Sequence, residues 1–222
     1  MKDNKSAFDS EKYDEKIVQT LPYYEEFYNQ VLELVSCVYD KPINWLDVGC
    51  GTGKMGAKVF GTMKPKRFVF TDPSEAMVDI AKERFADTGA EFAVCDVLDL
   101  PYETEFDVVT AIQVFHFLHE DERKIAVRHC YNALKDGGIF VSFENFAPFT
   151  EMGTKLYIDR WKQFQIRHGK TCEEAEAHVG RYGKEYFPIN FEEQIKVMRE
   201  SGFKTVEILW LSNMQVGIWG MK

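Results

Sequence analysis

Apolar residues along this chain recur first with the period of a helix and then in short runs with the length of strands, and the two kinds of segment alternate. Ile17, Leu21, Tyr24, Phe27, Tyr28, Val31, Leu32 and Val35 fall three and four residues apart, which predicts one face of an amphipathic helix broken near Pro22. Asn44 to Val48 is a short apolar run ending in glycines and reads as a buried strand, with a helix over Met55 to Phe60 behind it. The rhythm continues with a strand at Arg67 to Thr71, a helix after Pro73 with Ser74 near its start, and strands at Glu91 to Cys95 and Phe106 to Ala111. A helix from about Asp121 to Leu134, a turn at Lys135-Asp136-Gly137-Gly138 and a strand at Ile139 to Glu144 close the series. Residues 150 to about 187 form a helical excursion with Tyr157, Trp161, Phe164 and Gln165 on one side. A helix over Phe191 to Ser201 stops at Gly202, and Phe203 to Leu211 pairs with Val216 to Met221 as an antiparallel hairpin turning at Ser212-Asn213. Strands separated by helices predict an α/β fold with a parallel sheet covered on both faces.

Composition narrows the class. The 222 residues are 45% hydrophobic, with 27 basic and 36 acidic residues giving a net charge of −9. A chain of this size buries roughly 70% of its unfolded surface, so its aromatic content needs no membrane. No apolar run approaches the ~20 residues that span a bilayer, and the N-terminal stretch MKDNKSAFDSEKYDEK is too charged for a signal peptide. The expectation is one cytoplasmic domain. Five scattered cysteines, Cys37, Cys50, Cys95, Cys130 and Cys172, show no metal-ligand spacing and read as reduced, mostly buried thiols; no metal is indicated. The acidic balance makes duplex DNA a poor partner.

The chemistry concentrates at Leu46-Asp47-Val48-Gly49-Cys50-Gly51-Thr52-Gly53. A strand feeding glycines lets the backbone pass close to a ligand and turn into a helix whose free N–H groups face it. Gly51, Gly53 and Gly56 match the dinucleotide fingerprint, a weak signal alone. Asp47 separates the readings, because a carboxylate aimed into the loop repels a pyrophosphate and attracts an ammonium or sulfonium. Val48 and Met55 stand where a phosphate-binding loop needs its first Gly and its Ser or Thr. Asp72 ends the second strand near the spacing of a ribose-binding carboxylate. Asp96, after the third strand, can accept from an adenine amine while the Val97 N–H donates to the ring. Taken singly, Asp47 also reads as a helix cap and Asp72 as a turn former; their spacing behind successive strands favours one nucleoside site.

These motifs, LDVGCGTG, FTDPSEAM, AVCDVLDLP, FDVVTAIQVFHFL and LKDGGIFV, resemble those of class I S-adenosylmethionine-dependent methyltransferases across about residues 40 to 145. The resemblance implies a Rossmann-like, mostly parallel seven-stranded sheet with an antiparallel C-terminal hairpin, and S-adenosyl-L-methionine as cofactor. It implies Asp47 and Gly49 near the methionine part, Gly51 beside it, and Asp72 on the ribose diol. Pro73 and Met77 would lie against the adenine, Asp96 and Val97 on its edge, and Ile112 and Gln113 at the sulfonium. Residues 10–39 would then be a helical lid, 40–145 the cofactor-binding core, 146–188 a cap, and 189–222 the last helix and hairpin.

His116 and His119 stand at the mouth of the expected cleft, His116 as candidate general base or a plain polar loop residue. Tyr157, Trp161, Phe164 and Trp210 line a pocket or pack, with packing the commoner fate. Arg160, Arg167, Arg181 and Lys184 form a loose basic set that could hold an acidic substrate or, by default, reads as a solvated face, and Cys50 reads as a small buried filler. The aromatic lid and cap suggest a small or medium-sized acceptor. A second resemblance opens an RNA alternative: YDEKIVQTLPYYEEF and NFEEQIKVMRESGFKTVEILW are similar to enzymes that modify wobble uridine in transfer RNA with carboxy-S-adenosylmethionine. By that likeness Tyr24 approaches the cofactor's carboxylate end. The general GCGTG loop and the lack of a secure match for that family's arginine, Arg181 being only nearby, are departures. A non-catalytic nucleoside-binding module is the remaining class.

Overall fold

The computed structural model describes residues 10–222. Residues 1–9, the start of the charged stretch read above as unlike a signal peptide, lie outside the described residues. Seven strands form one sheet in the order β3-β2-β1-β4-β5-β7-β6. β1 (Asn44–Val48), β2 (Arg67–Asp72), β3 (Glu91–Val94), β4 (Phe106–Ile112) and β5 (Leu134–Asn145) run parallel, while β7 (Gln215–Met221) is antiparallel to β5 and to β6 (Thr205–Ser212). This is the Rossmann-like architecture expected, with its antiparallel closing hairpin. The chain order reverses between β1 and β4, so their carboxyl ends open a crevice where ligands of such sheets bind.

Alternation along the strands explains why they read as continuous apolar runs. Trp45, Phe68, Phe70, Val108, Ile139 and Val141 face one layer of the core. Their neighbours Leu46, Val69, Val109 and Phe140 face the other. Both faces are covered, so both sets are apolar.

The predicted break near Pro22 separates α1 (Tyr13–Ile17) from α2 (Tyr24–Val38), with Tyr23 in the left-handed region at φ 59°. α3 (Lys54–Thr62) follows the glycine loop, and α4 (Glu75–Arg84) starts at Ser74, whose hydroxyl accepts from the Met77 N–H at 3.2 Å. α5 is Glu120–Ala133 and runs directly into β5, which absorbs the Lys135–Gly138 turn expected before it. The excursion resolves into α6 (Glu151–Arg167) and α7 (Cys172–Val179), and α8 (Phe191–Glu200) precedes the hairpin. On α6 only Trp161 and Gln165 are buried, one turn apart, with Tyr157 and Phe164 half-buried beside them. The cysteines are free, but the expectation that most are buried needs correcting: Cys50 and Cys130 are, Cys95 is half-buried, and Cys37 and Cys172 lie exposed on helix surfaces. No helix among the described residues is long and apolar enough to cross a membrane.

α2 docks on the sheet through aromatic rings. Phe27 stacks on Phe143 of β5 with centroids 5.0 Å apart, and Trp210 of β6 meets Tyr23, Phe27 and Phe143, so Trp210 belongs to the packing. The Phe143 ring has room because its cross-strand partner is Gly217; a Cβ there would sit 2.3 Å from the ring. Gly217→Ala is expected to destabilise the protein by about 1–3 kcal/mol, measured as a lowered urea midpoint. An unchanged midpoint would refute the close approach.

Candidate functional site

The carboxyl ends of β1 to β4 surround an open cleft of about 710 Å³. The glycine loop contributes Gly49 and Gly51, and the turn after β2 contributes Asp72, Pro73 and Met77. Asp96 and Val97 lie beyond β3, and Ile112 and Gln113 at the end of β4. Tyr24 and Asp47 border an adjoining space under the glycine loop, and His116 lines a third, about 440 Å³ counted with the open solvent at its mouth, beside Trp161 and Tyr186. Tyr13 of α1 borders all three spaces. Gln113 and Phe117 border both the cleft and the third space, hereafter the chamber.

The loop needs glycine where it borders the cleft. Gly49 has φ +61° and its Cβ would fall 2.5 Å from a Val114 methyl; Gly51 has φ +53° and its Cβ would meet nothing within 4 Å. That empty direction opens on the cleft, so the backbone itself is presented to a ligand. Cys50 between them is buried; burial first, then the charges of Asp47 and Asp72, pushes its thiol well above the ordinary range, which fits a filler and not a nucleophile.

Asp72 is 8% exposed and accepts from two backbone N–H groups, Gly51 at 2.9 Å and Ser74 at 2.9 Å. It therefore ties the glycine loop to the start of α4 as well as facing the cleft. Asp96 caps a short 3-10 turn, accepting from the Leu98 N–H at 3.0 Å. The Trp45 indole donates to the Thr110 hydroxyl at 2.9 Å, which donates to Asp47 at 2.8 Å. Burial pushes the Asp47 carboxyl up to about 7, and the nearby Asp72 charge adds to this against the Thr110 hydrogen bond. An anion so weakly compensated makes the pocket floor receptive to a cation. Above it, the Tyr28 hydroxyl donates to Tyr24 at 2.6 Å, and Tyr13 joins this pair of buried phenols.

Gln113 holds φ +61°, a conformation that is uncommon outside glycine and tends to mark functional sites. Its strain is offset by its backbone N–H donating to the Phe143 carbonyl at 2.7 Å and its side-chain amide donating to Gln215 at 3.0 Å. The next three residues wrap a buried carboxylate. Glu144, 1% exposed, accepts from the backbone N–H groups of Val114, Phe115 and His116 at 3.0, 3.0 and 3.2 Å, and from His116 Nδ1 at 2.8 Å. A carboxylate only accepts, so Nδ1 carries the proton and Nε2 is left as the basic nitrogen.

His119 has a structural role: it begins α5, where its backbone N–H donates to Glu122 at 2.9 Å, and its ring lies on Phe187. Trp161 packs and also lines the chamber, its indole donating to the Thr20 carbonyl at 2.7 Å. Arg181 is bonded to Glu185 and to the Tyr186 hydroxyl, with its guanidinium 4.4 Å from the Tyr186 ring centroid. Arg160, Arg167 and Lys184 are exposed, as a solvated face requires. Sequence reasoning missed Tyr13, Glu144, Asn145 and His178. For Glu144 the signal was present, a lone acid in the apolar run Ile139 to Phe146.

A family model described as a methyltransferase domain matches residues 46–138. The chain is similar to a carboxy-S-adenosyl-L-methionine synthase of Helicobacter hepaticus, 23% identical over 205 residues, 89% of this chain and 85% of that protein. A Staphylococcus epidermidis protein of the same description is 22% identical over 223 residues, 98% and 96% of the two chains. Among solved structures, a methyltransferase from Thermotoga maritima superposes with TM-score 0.61 at 20% identity, covering 96% of this chain and 95% of that one. Magnesium protoporphyrin IX methyltransferase from Synechocystis, holding S-adenosylmethionine, gives 0.59 at 15%, covering 89% and 78%.

The Asp47 carboxyl sits at about 7 in the fold against an ordinary 3.8. Between those values the folded protein holds the extra proton, so this group's contribution is fully present below the unfolded pKa and is lost as pH rises through about 7. Asp47→Asn is therefore expected to gain stability relative to the parent as pH rises from about 3.8 to about 7, the gain levelling off above that. Thermal melts of both proteins across that interval give the comparison, and parallel pH profiles would contradict the assignment.

Proposed function

We propose that this chain is a class I S-adenosylmethionine-dependent methyltransferase that methylates a small or medium-sized acceptor held in the chamber beside the cleft. The observation that carries this reading is the junction at Gln113 and Phe117, where the nucleoside cleft meets a second space containing an oriented imidazole.

The residues at hand fit the cofactor. The Asp47 floor suits an ammonium or sulfonium, and the open direction at Gly51 leaves room for a ligand against bare backbone. Asp47 and Gly49 would hold the methionine portion with Tyr24 toward its carboxylate, and Gly51 would lie alongside. Asp72, which borders the cleft, would accept from the ribose diol. Pro73 and Met77 would take the adenine face, Asp96 and Val97 its edge, and Ile112 and Gln113 the sulfonium. When bound, S-adenosylmethionine supplies an electrophilic methyl group. The chain's own part is alignment, exclusion of water and, for an acceptor that must lose a proton, its removal by His116. In this reading residues 10–39 and 146–188 act as lid and cap, and the Trp161 to Thr20 hydrogen bond is one link between them.

A second reading draws support from the relatives named as carboxy-S-adenosyl-L-methionine synthases, which match nearly the whole chain. It would make the protein part of transfer RNA wobble-uridine modification. The engagement of Arg181 with Tyr186 and Glu185 gives it less support than the intact chamber gives the first. Mass spectrometry of the nucleoside carried through purification separates the two: S-adenosylmethionine or S-adenosylhomocysteine supports methyl transfer, and a carboxylated derivative supports the alternative.

Asp72→Ala is expected to weaken S-adenosylhomocysteine binding in calorimetry by about 1–3 kcal/mol, and full-strength binding would mean that the ribose lies elsewhere. His116→Asn is expected to lower kcat by about 10²–10⁴-fold while leaving that affinity unchanged. Undiminished turnover across a panel of acceptors would remove His116 from the chemistry.

A further inference from the structure

We propose that the chamber takes an aromatic acceptor through a phenolic hydroxyl, on a neutral or anionic molecule, in preference to an amine. This rests on the methyl-transfer reading and adds the substrate class to it.

The walls supply ring faces. The His116 ring lies 4.2 Å from Phe117 and 5.4 Å from Tyr186 between centroids, and Trp161 stands 6.4 Å from Tyr186. A flat aromatic molecule laid against the side of this ring cluster that borders the chamber exchanges water for offset and edge-on ring contacts. The polar groups on the wall that could orient it, Thr20, Gln113 and Asn145, are uncharged donors and acceptors.

The second argument is protonic. Glu144 fixes His116 with Nδ1 protonated and Nε2 basic. A phenol, with an ordinary pKa near ~10, is a weak nucleophile until its proton is taken, so an oriented imidazole on the chamber wall suits a hydroxyl acceptor. A neutral amine already has its lone pair and does not require a base before attack.

Third, the wall carries no acid among its described residues. His178, also on the wall, is kept neutral: burial drives its pKa down to about 3, and Lys170, Arg181 and His116 push the same way. Arg181 stands over the ring of Tyr186, whose other neighbours are the chamber's aromatic side chains. Arg181 is paired with Glu185 and Glu144 lies behind His116, so what disfavours an ammonium ion is that none of the described residues lining the chamber is a carboxylate.

In the step itself the O–H bond breaks and its proton passes to His116 Nε2. An oxygen lone pair forms the new bond to the methyl carbon, and the sulfur–carbon bond of the sulfonium donor breaks with its electron pair returning to sulfur. The products are an aryl methyl ether and a thioether, and the imidazolium, paired with Glu144, releases its proton to solvent.

The test uses the full chain. Calorimetry first measures S-adenosylhomocysteine binding; catechol, para-hydroxybenzoate, aniline and benzylamine are then titrated into the loaded protein. Parallel incubations with S-adenosylmethionine are read by mass spectrometry for methyl ethers and N-methyl products. The expected result is binding of at least one phenol at least roughly tenfold tighter than either amine, with formation of its methyl ether. If S-adenosylhomocysteine binds but the amines bind more tightly or are methylated in place of the phenols, or no probe binds, the phenol assignment is overturned and the cofactor reading stands. If S-adenosylhomocysteine itself does not bind, the underlying methyltransferase reading fails.

Discussion

A carboxylate withdrawn from water at the end of a strand must be met by donors, and this requirement shapes the mouth of the sheet. Asp47, Asp72 and Glu144 are 3%, 8% and 1% exposed. Asp72 recruits the N–H groups of Gly51 and Ser74, which fixes the glycine loop against the turn into α4. Glu144 recruits three consecutive N–H groups and thereby sets the path from β4 toward α5. Asp47 receives the Thr110 hydroxyl, itself held by Trp45, and retains a marked preference for its proton. The acids therefore set the loop conformations, and two of them, Asp47 and Asp72, also border the ligand spaces those loops enclose.

The sheet order makes this arrangement possible. With the crossing point between β1 and β4, Asp47 and Thr110 are cross-strand partners, and the loops from the two strands diverge to opposite sides. The cleft is the gap they leave. On its far side the antiparallel hairpin adds β7 against β5, which brings Gln215 under Gln113 and braces the left-handed residue at the border of cleft and chamber.

Much of this was legible because it is local in the chain. The parallel strands, the break near Pro22 and the acids near the ends of β1, β2 and β3 each announce themselves within a few residues. Where α5 and β5 meet, the local signal misled: Lys135 to Gly138 look like a turn, yet the strand runs through them because Gly137 and Gly138 bond to the backbone of Lys222 at the far end of the chain. The chamber was hidden for the same physical reason. It is assembled from α1, the loop after β4, the end of β5, and α6 and α7, which meet only when the chain is folded. Tyr13 sits in a charged stretch that carries no binding signature. The aromatic stripe of α6 also concealed its sorting, since one side-chain ring at Trp161 reaches the chamber while Tyr157 and Phe164 remain at the rim of the helix.

The five-residue α1, whose Tyr13 borders all three ligand spaces, packs into the core through Ile17 and is tied to the glycine loop and α4 by one acid. Asp14 accepts from the Thr52 hydroxyl at 2.5 Å, next to the glycine loop, and from Arg84 of α4 at 2.6 Å. Its pairing with Arg84 is partly exposed, and dissolved ions within a Debye length of about 10 Å at 0.1 M weaken such a pair. Ionic strength therefore acts on the anchoring of the wall common to all three compartments, a lever on ligand entry that involves none of the groups that bind or react.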